Sequence, residues 1–352
     1  MLKSQLPDPR LYPSSGASPL LGHAEEAAGT TEGTAPLAAL ADEIASLLEQ
    51  GDGQAVRDAI HQAPSAPVAR ALYQALDLAL TNASRNEGVS MHMFAIPVLL
   101  VVGAQSAQRL PGVLPEPLAI HALFEESGVL GHCRNFGISN ALASLESVQA
   151  APWSAQYARL KQQQWDGCGD INLPPEDIDV VANRETVYLR FIYGAAVTPA
   201  SAPAFVESAG DIGRWGIKLT KELGRQLAKP DLSLLAIPRL PRSFIRATKE
   251  GWFAAREIGF QLFLSNALRQ ARMRIGEPDV TISAASDQTV RVRLTSPLDD
   301  LLDQTYGWPL SPADDFDEIV SSIAATLEEV KLERVRFAPE IEQISNAKPA
   351  AH

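Results

Sequence analysis

The run Ser90–Ala104, SMHMFAIPVLLVVGA, constrains the fold more than any other stretch of the chain. Its apolar part, Met93 to Val102, is ten residues long and contains Pro97, short of the roughly 20 residues a membrane-spanning helix needs. An apolar run of this length between helical patterns reads as a strand buried on both faces, which needs cover on both sides. The expectation is a helix-rich region over 34–170 built around one central strand at 91–103.

Helical spacing supplies that cover. Leu37, Leu40, Ile44, Leu47 and Leu48 share one face of a helix that starts near Thr34, with Pro36 in its first turn, and stops at Gly51. A short helix follows at Gln54–His61, then a longer one from Pro67 to about Asn82 with Val68, Leu72, Leu76 and Leu80 at i, i+4 spacing. After Ala104, polar residues and Pro111, Pro115 and Pro117 predict a loop. Leu118–Ser127 predicts a helix closed by Gly128, and Val129–Phe136 a short strand or loop. Ser139 or Asn140 would cap a helix to about Gln149, and Ser154 another to about Trp165.

The turn-rich stretch 166–176 marks a boundary. Over 175–230, Ile178–Ala182 and Thr186–Tyr193 read as a β-hairpin, with Val187, Leu189 and Phe191 alternating against Tyr188 and Arg190. A basic amphipathic helix follows at Asp211–Lys229. The region 231–338 gives strand (Leu232–Ile237), helix (Lys249–Arg274), hairpin (Val280–Ala284 and Thr289–Leu294), helix (Asp314–Val330) and strand (Leu332–Phe337). That β-α-β-β-α-β order is the ferredoxin-like plan, so the fold class is α+β. Residues 1–33 and 339–352 are expected to be a disordered arm and tail.

Charge is unevenly placed. The net is −12, yet Arg214–Arg274 holds 13 Lys/Arg against 4 Asp/Glu, and Asp299–Val330 holds 9 acids and no base. The acidic total argues against a surface that binds nucleic acid or anionic membrane as a whole. On the 211–229 helix, Arg214, Lys218, Lys221, Arg225 and Lys229 lie opposite Ile212, Trp215, Leu219, Leu223 and Leu227. Glycines at 213, 216 and 224 weaken this helix in isolation, so its apolar face is expected to lean on a core. Those five cations, with Arg242, Arg246 and the strand residues Arg291 and Arg293, are the candidate partner-binding set.

No catalytic residue, metal site or cofactor is assigned. The glycines around Gly210–Gly216 follow no strand, and Gly103 lacks the further glycines and the lysine of a phosphate loop. Asp299, Asp300 and Asp303 fit a DDxxD spacing for Mg²⁺, but follow a hairpin and read better as a solvated acidic helix start. His121, His132, Cys133 and Cys168 match no zinc spacing, and Met91-His92-Met93 reads as packing at the strand entrance. With two cysteines, and an N-terminus without the apolar stretch of a signal peptide, the expected compartment is the cytoplasm. The 22 Arg against 8 Lys and the abundant Ala suggest a GC-rich bacterial genome.

Three functional readings follow. The first is a non-catalytic assembly or interaction protein, binding itself or another protein through its complementary basic and acidic segments. The second is an enzyme with a dispersed site acting on an anionic or phosphorylated substrate. The third is nucleic-acid binding through the basic 211–246 segment, which the charge balance does not favour.

Overall fold

The computed structural model describes residues 17–29, 34–81, 89–131, 133, 135–144, 177–199, 212–227, 229–236, 242–272, 278–285, 289–296, 303–310, 314, 316–339 and 341. They form a mixed helix-and-sheet protein. The chain divides into two compact units, one within Leu6–Ala255 and one within Arg256–His352.

Four helices open the first unit: α1 (Ala17–Gly29), α2 (Thr34–Glu49), α3 (Gly53–His61) and α4 (Ala66–Thr81). Helix α1 corrects the expected disorder of the arm, since Leu20 and Ala24 are fully buried against α2–α4. Its apolar residues are crowded among Gly, Ser and Pro, which hid the helical period. Residues 1–16 and 30–33 lie outside the described residues. Gly51 ends α2 at φ 82, a left-handed conformation that favours glycine, and the Asp52 carboxylate accepts from the Ala55 N–H at 3.1 Å to start α3.

The apolar run becomes β1 (Val89–Val102). It pairs antiparallel along its whole length with β5 (Thr186–Pro199), from Val89↔Pro199 to Val102↔Thr186. On its other side it meets β6 (Leu232–Ala236) at Val98–Val102 and β7 (Arg242–Ser243) at Phe94–Ala95. Pro97, which has no N–H to donate, falls in the gap between those two ladders. With β3 (Asn135–Ala143) on β5, the sheet order is β3-β5-β1-β6.

Both faces of this sheet are covered, which is why β1 is continuously apolar. Met93, Ala95, Phe191, Tyr193 and Ala195 pack with α1–α4. Phe94, Ile96, Val98, Leu100 and Ile192 pack with α5 (Pro117–Ser127) and α6 (Ile212–Leu227). The Phe94 ring lies across Gly194, its partner on β5.

The sheet brings three corrections. The N-terminal region holds several strands around β1 rather than one alone. Ser139 and Asn140 lie in β3 and cap no helix; Ile138 and Leu142 are buried in the second core layer. Residues 178–182 (β4) do not form a hairpin with β5: they pair with β2 (Ser106–Leu110), within the stretch expected to be a loop. Adjacency in sequence suggested the hairpin, but β5 has β1 and β3 on its two edges. The expected helix at 154–165 and the boundary at 166–176 lie outside the described residues.

Trp215 of α6 is 1% exposed and stacks on Phe124 at 5.7 Å between centroids, yet its indole N–H has no acceptor among the described residues. A buried donor without a partner costs about 1–3 kcal/mol. Trp215→Phe is therefore expected to stay within about 1 kcal/mol of the parent in urea unfolding, whereas Trp215→Ala loses about 3–5 kcal/mol.

Helix α7 (Phe244–Arg272) belongs to the first unit as far as Ala255. Asp77 of α4 takes up its first turn, accepting from Ser243 Oγ at 3.0 Å and from the Ile245 N–H at 3.4 Å. Burial pushes the Asp77 carboxyl above its ordinary range, and the bonds from Ser243 and Ile245 and the charge of Arg246 oppose this. The raised value means the fold holds the proton more tightly than the unfolded chain does. That contribution is complete below the unfolded carboxyl pKa and is lost as pH rises through the folded one. Asp77→Asn keeps one of the two acceptor oxygens and has no proton to lose. It is expected to match the parent most closely at acid pH, where the folded carboxyl holds its proton, and to flatten the pH dependence, while Asp77→Ala costs about 1 kcal/mol at acid pH and less at neutral pH. Urea midpoints at pH 4 and 7 measure both.

The second unit is a meander, β8 (Asp279–Ala285), β9 (Thr289–Thr295) and β10 (Asp303–Pro309), followed by α8 (Phe316–Glu329) and β11 (Val335–Phe337). Strand β11 lies parallel to β8, and the order is β10-β9-β8-β11. This corrects the β-α-β-β-α-β reading. Its first strand, Leu232–Ala236, belongs to the β1 sheet, and β10 stands where an acidic helix start was expected at Asp303. The Gly and Pro of DQTYGWP masked an edge strand whose Trp308 is fully buried. Asp299 and Asp300 lie outside the described residues. Of the expected tail, Ile341 is buried, and residues 342–352 lie outside the description.

Candidate interaction surfaces

The basic face of α6 is met by acids of its own chain. Arg225 makes a two-pronged contact with the Glu116 carboxylate, at 3.1 and 2.5 Å, and also bonds Glu222. The Gln226 side-chain amide donates to the Glu116 carbonyl and accepts from the Glu116 N–H, so α6 holds the residue that precedes α5 by backbone and side chain together. The hydrogen bond from Arg225 holds the Glu116 carboxyl below the usual carboxylate range, and bonds from Arg225 and Gln226 do the same for Glu222. Lys218 lies 3.8 Å from Glu126 of α5, and Lys229 donates to the Arg109 carbonyl. Lys221 is exposed. Arg246 bonds Glu250 one turn on, at 3.1 Å. Arg214 opens α6 and Arg242 sits in β7; their side chains are outside the description. On the opposite side of α6, Trp215, Leu219, Leu223 and Leu227 are all buried.

In the second unit the charges divide between two places. Inside, Arg256 is 1% exposed and reaches Asp314 with both terminal nitrogens, at 2.5 and 3.0 Å, while donating to the Pro309 carbonyl at 2.6 Å. It also lies 5.9 Å from the centre of the Trp308 ring. Arg256 comes from the basic segment and Asp314 from the acidic one, so the two segments touch within one chain at this point.

Outside is the opposite face of the sheet, where the described arginines are exposed. Val280, Ile282, Val290, Val292, Leu294 and Trp308 turn inward and are fully buried. Strand alternation sends Thr281, Arg291, Arg293, Thr305 and Arg336 outward, and all five are exposed. Thr305, Arg293, Thr281 and Arg336 are register partners, one row across four strands. Arg291 sits in the next row between Gly307 and Ser283. Asp303 anchors Arg293 through two bonds of 2.7 Å, and this pairing holds the carboxyl low. Charge alternation flagged Arg291 and Arg293; Arg336 was missed because only the β11 register places it beside them.

The groups weighed for chemistry are turned apart. His92 and Met93 occupy opposite faces of β1: Met93 joins the α1–α4 core, and His92 bonds the Thr198 hydroxyl at 3.1 Å. Burial pushes the His92 imidazole below its ordinary range. His121 stacks on Phe136 at 4.0 Å, and Cys133 donates to the Asn135 carbonyl. His132 and Cys168 lie outside the described residues. Among the described residues, no group of three His, Cys, Asp or Glu side chains could hold a metal ion, and no helix is long and apolar enough to cross a membrane. Comparison with protein-family models, curated proteins and solved structures found no match.

Proposed function

We propose that this chain is a non-catalytic cytosolic assembly protein that associates with itself through complementary charge. The observation that carries the reading is the exposed arginine-bearing face of the second unit's sheet, where Arg293 is paired with Asp303; on α6, Lys218 and Arg225 meet acids of their own chain and Lys221 is exposed. A basic helix engaged in this way has less to offer a phosphate backbone or an anionic membrane. The sheet face also suits a protein partner better than single-stranded nucleic acid. Its outward residues include no aromatic ring for base stacking, and Asp279 and Asp303 stand among its arginines.

Static light scattering over a salt series tests the reading. The expected result is a mass above one chain at low salt that falls towards 37.8 kDa as salt screens the contact. A mass of one chain at every salt concentration would remove self-assembly. Retarded migration of labelled single-stranded RNA at moderate salt would favour the nucleic-acid reading in its place.

A further inference from the structure

We propose that the outer edge of β6 pairs with the same edge of a second copy of this chain, so that the two sheets run on as one. This rests on the self-association proposed above and names a contact for it. Strand β6 ends the first unit's sheet, and among the described residues no strand lies beyond it. Native sheet edges are blunted by charge, proline, shortness or cover. The other outer strands of the two larger sheets follow that rule. The Leu114 N–H meets the Asn140 carbonyl of β3, and the Leu142 N–H meets the Gly112 carbonyl. Strand β10 carries Asp303, Gly307 and Pro309, and β11 is three residues long with Arg336 at its centre. The LSLLA of β6 has no charge and no proline, and its Leu235 is 39% exposed.

The backbone alternation fits a two-fold axis. The Gly103 N–H donates to the Asp231 carbonyl, one residue beyond the Val102↔Leu232 end of the β1–β6 ladder. In an antiparallel ladder the bonded pairs then fall at Ser233 and Leu235, and Leu232, Leu234 and Ala236 turn their backbone polar groups away from β1. A second β6 laid antiparallel, with Leu234 opposite Leu234, exchanges two hydrogen bonds at that residue. The Ala236 N–H of each copy meets the Leu232 carbonyl of the other. Ser233 then stands opposite Leu235, and no charged side chain of the strand meets its own kind.

What overhangs the edge leaves room for this. Helix α5 meets β3 and α6 meets β6, at opposite ends of the sheet. Lys218 and Arg225 face α5, so the far flank of α6 lies above the β6 edge. That flank carries Gly216, Thr220 and Gly224 one turn apart, and nothing lies within 4 Å of a Cβ built at Gly224. Two such flanks brought together by the axis can approach closely. A handful of backbone bonds, each of modest net worth against water, does not alone repay the freedom lost on association. The edge contact therefore holds only alongside the charge contact, and salt that screens the charge contact releases both.

Two single-cysteine variants test the register. In the proposed pairing the Cα of Ser233 lies about 4.5 Å from that of Leu235 in the other copy, within disulfide range. Ser233 to Ser233 and Leu235 to Leu235 are about 8 Å apart, beyond that range. Both residues are exposed, and thermal unfolding of Ser233→Cys and Leu235→Cys under reducing conditions checks that the fold is kept. Oxidised at low salt, an equimolar mixture of the two full-length variants is expected to give a covalent pair of chains on a non-reducing gel, and to lose it at high salt. Each variant alone is expected to give no more than the parent gives from its own Cys133 and Cys168. A parent that associates while the mixture does not cross-link, or equal cross-linking by either variant alone, would overturn this pairing and leave self-association standing. Leu235→Lys, which blunts the edge with charge, is expected to lower the scattered mass at low salt, and a parental mass would count against the pairing in the same way. A parent of one chain at all salt concentrations would overturn both.

Discussion

Replacing Arg256 with methionine is expected to lower the stability of the second unit by about 3–5 kcal/mol, the usual cost of removing one member of a buried ion pair. The cause is what remains behind. Asp314 is 6% exposed and would lose both guanidinium contacts without water to replace them, and the Pro309 carbonyl would lose its donor. Arg256→Lys should recover only part of the loss, because an ammonium cannot make the planar two-pronged contact and bond Pro309 together. The decisive comparison is Arg256→Met/Asp314→Leu. Replacing both partners with apolar groups removes the stranded carboxyl, so the double variant is expected to be more stable than Arg256→Met alone. Urea unfolding measures all three, and a single variant within about 1 kcal/mol of the parent would show that the pair is not what holds α7 to β10 and the start of α8.

Gly251→Ala is expected to destabilise the first unit although it improves the helix. Alanine is favoured over glycine in a helix interior by about 1 kcal/mol. Against this, a Cβ at position 251 would stand 2.6 Å from Pro97 Cβ, 3.1 Å from Leu189 and 3.3 Å from Phe191. The proline ring is tied to the backbone of the central strand and cannot turn away. Overpacking of this kind costs about 1–3 kcal/mol, so the net effect is a loss. Gly224→Ala in α6 is the control. Nothing lies within 4 Å of its added Cβ, and the helical gain of about 0.5–1 kcal/mol should appear undiminished. The two substitutions are chemically identical and should move the urea midpoint in opposite directions.

Much of the secondary structure was readable because burial writes a local pattern. Leu40, Ile44 and Leu48 mark α2, Leu219 and Leu223 mark α6, and Val290, Val292 and Leu294 mark β9; each repeats at its own period and each is buried. Pairing was much harder to read. Nothing in Leu232–Ala236 says that it lies beside Val98–Val102 rather than beside β8, since an apolar pentapeptide suits either sheet. Strand β10 combines Gly307 and Pro309 with an acidic approach, so local propensity pointed away from a strand that Trp308 and Tyr306 hold against Phe260 and Phe263.

The surfaces followed the same division. The i, i+3 pair Glu222–Arg225 and the i, i+4 pair Arg246–Glu250 are local and legible. Glu116 lies 109 residues from Arg225, and Asp314 lies 58 from Arg256. No spacing rule connects such positions. This is why a helix that looked like a free basic surface turns out to be engaged within its own chain.

Sedimentation equilibrium of the parent chain over a concentration series at low salt tests the central claim most directly. A mass that rises with concentration above 37.8 kDa, and returns to it when salt is added, is the result expected of self-assembly through charge. A mass of one chain at every concentration would contradict it.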